Sequence, residues 1–267
     1  MKKLFSIVGA VAAMLAAQGA FAGGISDTGV NAYWGADNHG YADVIGTSLY
    51  DIDSATIARV GSVLTVTIAT NFAGHAGADS WAAPGGIGYG DVFLANAWNP
   101  FGSDANHIND NAANGTKWSY GLSLDNRWSN TGGTFKLYQL NGASNAANIN
   151  NSETFLSCQI GTQCYYRNGQ ATAVNTASST VQNTGVTGNW TVTADQQLKF
   201  TINVATTDLV NFASFAMHWG ETCQNDVIEG VVKMVPTPGS VPLLALGLGA
   251  MVVLRRRQQH KVLPLPF

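Results

Sequence analysis

Residues 63–70 read VLTVTIAT, and this run limits what the chain can fold into more than any other stretch. Leu64, Val66 and Ile68 alternate with Thr65 and Thr67, a period of two that only an extended strand turns into one dry face and one wet face. The run is almost wholly β-branched, which stiffens the side chains against a helix and suits a pleated surface. Residues 198–204 repeat the pattern, with Phe200, Ile202 and Val204 on one side and Thr201 and Asn203 on the other. Further strands are predicted at 88–94, 117–124, 134–140, 164–173, 212–219 and 227–234, and no useful helical period occurs between residues 23 and 234. Residues 71–88, 96–115, 141–151 and 175–188 are rich in Gly, Asn, Ala or Ser and read as loops. Many short strands with Gly and Asn turns predict an all-β fold: one antiparallel β-sandwich, jelly-roll-like, over residues 23–234. Its core is expected to hold Leu64, Val66, Ile68, Phe93, Phe200, Ile202, Phe215 and Trp219, with Thr65 and Thr67 facing water.

The two ends of the chain carry a different kind of signal. Lys2 and Lys3 precede an apolar stretch over residues 4–17, and Ala20, Phe21 and Ala22 form a small-x-small cleavage site. Together they predict a signal peptide over residues 1–22, read by the Sec translocon and removed by signal peptidase. At the other end, Val235, Pro236 and Pro238 lead into an uncharged apolar run over residues 241–254, followed by Arg255, Arg256 and Arg257. As a helix, those residues span only ~21 Å, short of the ~30 Å hydrocarbon core. The arginines hold that end on the cytoplasmic side, so residues 258–267 are expected as a short cytoplasmic tail.

A Pro-containing motif, an apolar helix and an arginine cluster over residues 235–257, on a chain with a signal peptide, resemble the PEP-CTERM sorting signal. Thr237 stands where that family usually carries Glu. The resemblance implies an exosortase-type protease that processes the chain near the Pro motif. It further implies a transient stay in the inner membrane, followed by display at the cell surface or in the extracellular matrix. A second resemblance lies in residues 218–230, HWGETCQNDVIEG, with 50–52, 64–68 and 90–94 before them. Together these are similar to a recurring ectodomain of exosortase-sorted proteins, in which a Gly is more usual at the place of Gln224. It implies a β-sandwich surface domain and no particular chemistry.

Chemistry has few candidates. Between Gly23 and Val235 the chain has seven basic against sixteen acidic side chains, a balance of −9 that does not suit nucleic acid. Of three cysteines on the oxidising side of the membrane, Cys158 and Cys164 close a short loop around Gly161 and are the favoured disulfide, with pairing through Cys223 as the alternative. A Cys223 nucleophile with His218 as its base, and a glycosidase pair drawn from Glu221, Asp226 and Glu229, are the catalytic readings; the expectation is that the chain is no enzyme. Asp104, Asn106 and Asp110 offer oxygen ligands of the kind Ca²⁺ prefers, without EF-hand order, and no other cofactor is expected. Trp81 and Trp98, in loops, are candidates for stacking on sugar rings. The resulting expectation is an exported, non-enzymatic surface or matrix protein associated with exopolysaccharide or biofilm. A carbohydrate-binding module is the alternative and an exported glycoside hydrolase the more distant one.

Overall fold

The computed structural model describes residues 20–27, 44–101, 113–157, 166–167 and 169–236. It divides into two compact units, Ala22–Val235 and a second made of Met1–Phe21 with Pro236–Phe267, which lies almost wholly outside the described residues. The expectations placed on residues 1–19 of the signal peptide, Pro238, the helix over 241–254, Arg255, Arg256, Arg257 and the tail therefore fall outside them. So do those on Cys158, Cys164, Asp104, Asn106 and Asp110. Ala20, Phe21 and Ala22 of the expected cleavage site open a strand, Ala20–Ser26. Among the described residues no helix is long and apolar enough to cross a membrane.

The strands are β1 (Ala20–Ser26), β2 (Ile52–Val60), β3 (Val63–Thr70), β4 (Val92–Ala95), β5 (Tyr120–Leu124), β6 (Gly132–Leu140) and β7 (Ile149–Asn151). They continue with β8 (Ala171–Val174), β9 (Val181–Val192), β10 (Gln197–Asn203), β11 (Ser214–Gly220), β12 (Val227–Lys233) and β13 (Val235–Pro236). The expected all-β antiparallel class is what the chain adopts. Eleven strands form one sheet in the order β12-β11-β4-β5-β6-β9-β10-β3-β2-β1-β13, and β7 pairs only with β8. The sheet curls until its ends face each other, with Ile25 of β1 lying over Gly230 of β12, so the arrangement is sandwich-like and nearly a barrel. Where two separate sheets were expected, a continuous hydrogen-bonded order runs from one layer into the other, as the native twist of a long sheet allows.

Alternation places the core. Leu64, Val66, Ile68, Phe93, Phe200, Ile202, Phe215 and Trp219 are all buried as expected, and Thr65 and Thr67 are half-exposed. A line of rings crosses the interior, Tyr50 on Phe72, Phe72 on Tyr89, Tyr89 on Trp190 and Trp190 on Phe200, with centroids 5.2 to 6.1 Å apart. β4, β5 and β11 are buried on both faces, because the small β7–β8 pair covers their outer side. There Phe93, Ala95, Trp118, Leu140, Ile149, Ala171, Val174 and Ala216 form a second apolar cluster.

Of the stretch expected as a loop at 175–188, residues 175–180 are turns, but 181–188 belong to β9, the longest strand, paired with β6 on one side and β10 on the other. Only Gly188 and Trp190 of β9 are buried, so no apolar period marked it. Gly188 faces Phe135 across the β6–β9 ladder, and the Phe135 ring lies over its Cα; a Cβ there would sit 2.2 Å from Phe135 Cζ. Phe135 is itself held edge-on against Phe200 with centroids 5.8 Å apart, so it has no room to retreat. Gly188→Ala is expected to destabilise the fold by about 1–3 kcal/mol through overpacking. A chemical-denaturation midpoint within error of the parent would show that the ring can move aside.

Candidate functional site

The residues singled out at 218–230 form the end of β11, a turn and the start of β12. The turn is clasped from outside. Thr222 donates its N–H to the Gly88 carbonyl and accepts the Gly88 N–H on Oγ1, while the Gly90 N–H bonds to the Gly220 carbonyl. These bonds continue the β4–β11 pairing past the end of both strands. Asn225 exchanges two bonds with Ile45, its carbonyl accepting the Ile45 N–H and its Nδ2 donating to the Ile45 carbonyl. Asp226 receives the Ile52 N–H on Oδ2 and its neighbour Val227 N–H on Oδ1, both at 2.8 Å. Arg167, fully buried, donates Nη1 to the Asn225 carbonyl at 2.6 Å and stands 3.9 Å from Asp226 Oδ1.

Gln224 makes the bend with φ +52°. That left-handed conformation is one that glycine adopts without steric cost. Here the side chain compensates locally: Nε2 donates to the Glu221 carbonyl at 2.8 Å, alongside the Gln224 backbone N–H. Gly220 is required at the base of the turn, because a Cβ would lie 2.5 Å from Gln224 Oε1 and 2.7 Å from the Asp226 carbonyl.

His218 and Trp219 point to opposite faces of β11. Trp219 donates its indole N–H inward to the Gly90 carbonyl. His218 faces the second cluster, with Nε2 2.8 Å from the Ala171 carbonyl and Nδ1 2.8 Å from Glu229 Oε2. A carbonyl only accepts, so Nε2 carries a hydrogen, and a further proton lies between Nδ1 and Glu229. Glu229 Oε1 accepts the indole N–H of Trp98 at 3.0 Å. Trp98, read in sequence as a sugar-stacking candidate, is thus half-buried against the second cluster and tethered to the same carboxylate as His218. Trp81 lies in another setting. It is 56% exposed and its indole N–H bonds to Asp79 Oδ1, while Asp79 Oδ2 accepts the buried Tyr50 hydroxyl. The structure does not bring Trp81 and Trp98 together.

The electrostatics of the turn follow from its enclosure. Glu221 is fully buried and neither carboxylate oxygen has a hydrogen-bond partner. Burial pushes it well above the usual carboxylate range, and nearby Asp226 adds to the shift. Burial likewise pushes Asp226 up to about 7, against the pull of Arg167 and of the two N–H groups it accepts. Cys223 is a free, buried thiol raised well above its ordinary value by burial and by Glu221. It is no activated nucleophile: thiolate formation is opposed, and both ring nitrogens of His218 are engaged with Glu229 and Ala171. The carboxylates considered for sugar hydrolysis fare no better. Glu221 and Asp226 are sealed from solvent, and Glu229 is held by His218 and Trp98.

Asp91, at the entry of β4, carried no expected role. It is buried, receives the Leu124 N–H and Arg127 Nη2 on Oδ1 at 3.0 and 3.1 Å, and receives the Val174 N–H on Oδ2 at 2.8 Å. One carboxylate thereby joins the entry of β4 to the ends of β5 and β8. An aspartate after Gly90, just before an apolar strand, was the available signal. No group of three or more His, Cys, Asp or Glu able to hold a metal occurs among the described residues. No family model matches the chain, and no curated protein or solved structure does either.

Proposed function

We propose that the chain is an exported, non-enzymatic surface or matrix protein. Its jelly-roll-like β-sandwich passes through Sec, loses residues 1–22 to signal peptidase, and is sorted at residues 235–257 by an exosortase-type protease into an exopolysaccharide or biofilm setting. The observation that carries the non-catalytic part is the turn between β11 and β12. Its acids, amides and thiol are turned inward, and Thr222, Asn225 and Asp226 fasten loops 44–52, 71–91 and 166–167 to the sheet. A surface protein that must outlast proteases gains from such a clasp, whereas a catalytic carboxylate must reach its substrate. The exported location rests on the two end segments of the sequence.

Intact-mass measurement of the protein recovered from the cell surface tests the sorting. The expected species begins at Gly23 and ends within residues 236–239. Replacing Arg255, Arg256 and Arg257 with Gln is expected to reduce inner-membrane retention of the precursor by removing the positive-inside signal. A surface species still ending at Phe267 would leave an ordinary membrane-anchored protein instead.

A carbohydrate-binding role is the second reading. Trp81 supports it, since its indole edge is fixed by Asp79 while the side chain stays more than half exposed.

A further inference from the structure

At the β5–β6 side of the domain, a cleft of about 610 Å³ opens between residues 96–99, 115–120, 139–141 and 208–212. Its volume falls in the ~300–1,000 Å³ range of small-ligand sites. Its apolar lining is Trp118, Tyr120 and Leu140, all buried, with half-buried Phe212; the rest of the lining is mostly polar. Asn96, Asn99, Ser119, Gln139 and Asn141 stand around it, with Lys117 and Asp208 as one charge of each sign.

The hydrogen-bonding side chains around the cleft are exposed or half-exposed and face it without a protein partner among the described residues. None of the Asn96, Asn99, Ser119, Gln139 or Asn141 side chains bonds to another protein group among the described residues. Some amides elsewhere hold turns. Asn71 binds the Ser48 carbonyl, Asn130 binds both the N–H and the carbonyl of Ala76, and Asn145 and Asn148 each both donate and accept. The usual explanation of an Asn-rich loop, a side chain bonding nearby backbone, holds at those sites and fails at the cleft.

The geometry points to a short, neutral oligosaccharide as the occupant. A carboxamide offers two donors and an acceptor, and a sugar hydroxyl offers one donor and an acceptor, so amides ring a hydroxyl-rich ligand without a charge mismatch. The C–H face of a pyranose suits the half-buried Phe212 ring in the lining. A polyanion is disfavoured because Lys117 is offset by Asp208 and the domain is acidic. An extended peptide adding as a strand is disfavoured too: β5 is paired on both sides, with β4 and with β6, so the cleft offers no free strand edge. This inference deepens the carbohydrate reading and rests on it, but moves the binding site from Trp81 to the cleft.

The test uses the full chain, a printed array of neutral and anionic glycans, and calorimetric titration with cellohexaose, maltohexaose and mannohexaose. At least one neutral hexasaccharide is expected to bind, and Gln139→Ala and Asn141→Ala each to weaken it about tenfold. Both variants should leave the unfolding midpoint unchanged, because neither side chain contributes a bond to the fold. Trp81→Ala is expected to change affinity less than about twofold. Binding that survives the Gln139→Ala/Asn141→Ala double variant, or is lost in Trp81→Ala, overturns the cleft while leaving the carbohydrate reading intact. Preferential binding of an anionic glycan that disappears in Lys117→Gln overturns the ligand class. No binding of any glycan overturns both the cleft and the reading it rests on.

Discussion

Replacing Asp91 with alanine is expected to lower the unfolding free energy by about 3–5 kcal/mol, the cost of breaking a buried ion pair from one side. Two separate losses combine. Arg127 would keep its bond from Nη1 to the Tyr89 carbonyl but lose its counter-ion. The buried N–H groups of Leu124 and Val174 would lose their acceptor, each at about 1–3 kcal/mol. Against a typical total of about 5–15 kcal/mol, that is a large share of the stability. Asp91→Asn should fall between the parent and the alanine variant. Its single amide oxygen can serve one side, but its NH₂ must then face either the Arg127 guanidinium or the Val174 N–H. Urea unfolding followed by tryptophan fluorescence gives the order, and a loss below about 1 kcal/mol for the alanine variant would show that Asp91 is not the tie that its contacts describe.

Asp91 also shows where a sequence stops being legible. The strands with a clean period of two, β3 and β10, could be read directly, because one apolar face is a local property of the pattern. From them, five of the eight expected core residues, Leu64, Val66, Ile68, Phe200 and Ile202, followed without knowledge of any pairing. β9 could not be read this way. Its order comes from two ladders and from Phe135 lying over Gly188, and both belong to neighbouring strands. A Gly/Asn/Thr stretch with one tryptophan carries no local trace of that.

The candidate site divides similarly. Residues 218–230 stood out in the sequence, yet acids at a strand end ordinarily face water, and nothing local says that these do not. Their burial depends on Gly88, Ile45, Ile52 and Arg167, which are distant in sequence and close over the turn only in the fold. Trp98 is the same lesson on a loop. Its partner Glu229 lies 131 residues away, so its environment changes from an exposed stacking ring to a tethered, half-buried one only in three dimensions. The cleft residues come from expected strands, at 117–120, 139–140 and 212, and from expected loops, at 96–99 and 141, so only the fold brings them together.

The buried turn also sets how stability should vary with pH. Glu221 and Asp226 are both raised in the folded state, chiefly by burial, so each releases its proton more readily from the unfolded chain. The stability each contributes is fully present below its ordinary value and is lost as pH rises through its folded value. For Asp226 that window runs from 3.8 to about 7, and for Glu221 it opens at 4.5 and extends upward. Within it, each group is expected to remove about 1.4 kcal/mol per pH unit, a tenfold change in the folding constant. The other groups around Glu221 do not titrate in this range: Arg167 stays charged, and Tyr50, Tyr89 and Cys223 are raised from values already above it. Glu221→Gln keeps the shape and removes the ionisation. The variant's stability relative to the parent is therefore expected to improve as pH rises above 4.5, by at most about tenfold in the folding constant per unit. Guanidinium unfolding at each pH, with the slope against denaturant checked for constancy, measures the difference directly. Two parallel curves would mean that Glu221 ionises as easily in the folded protein as in the unfolded one, and that its carboxylate has found water or a cation inside the turn.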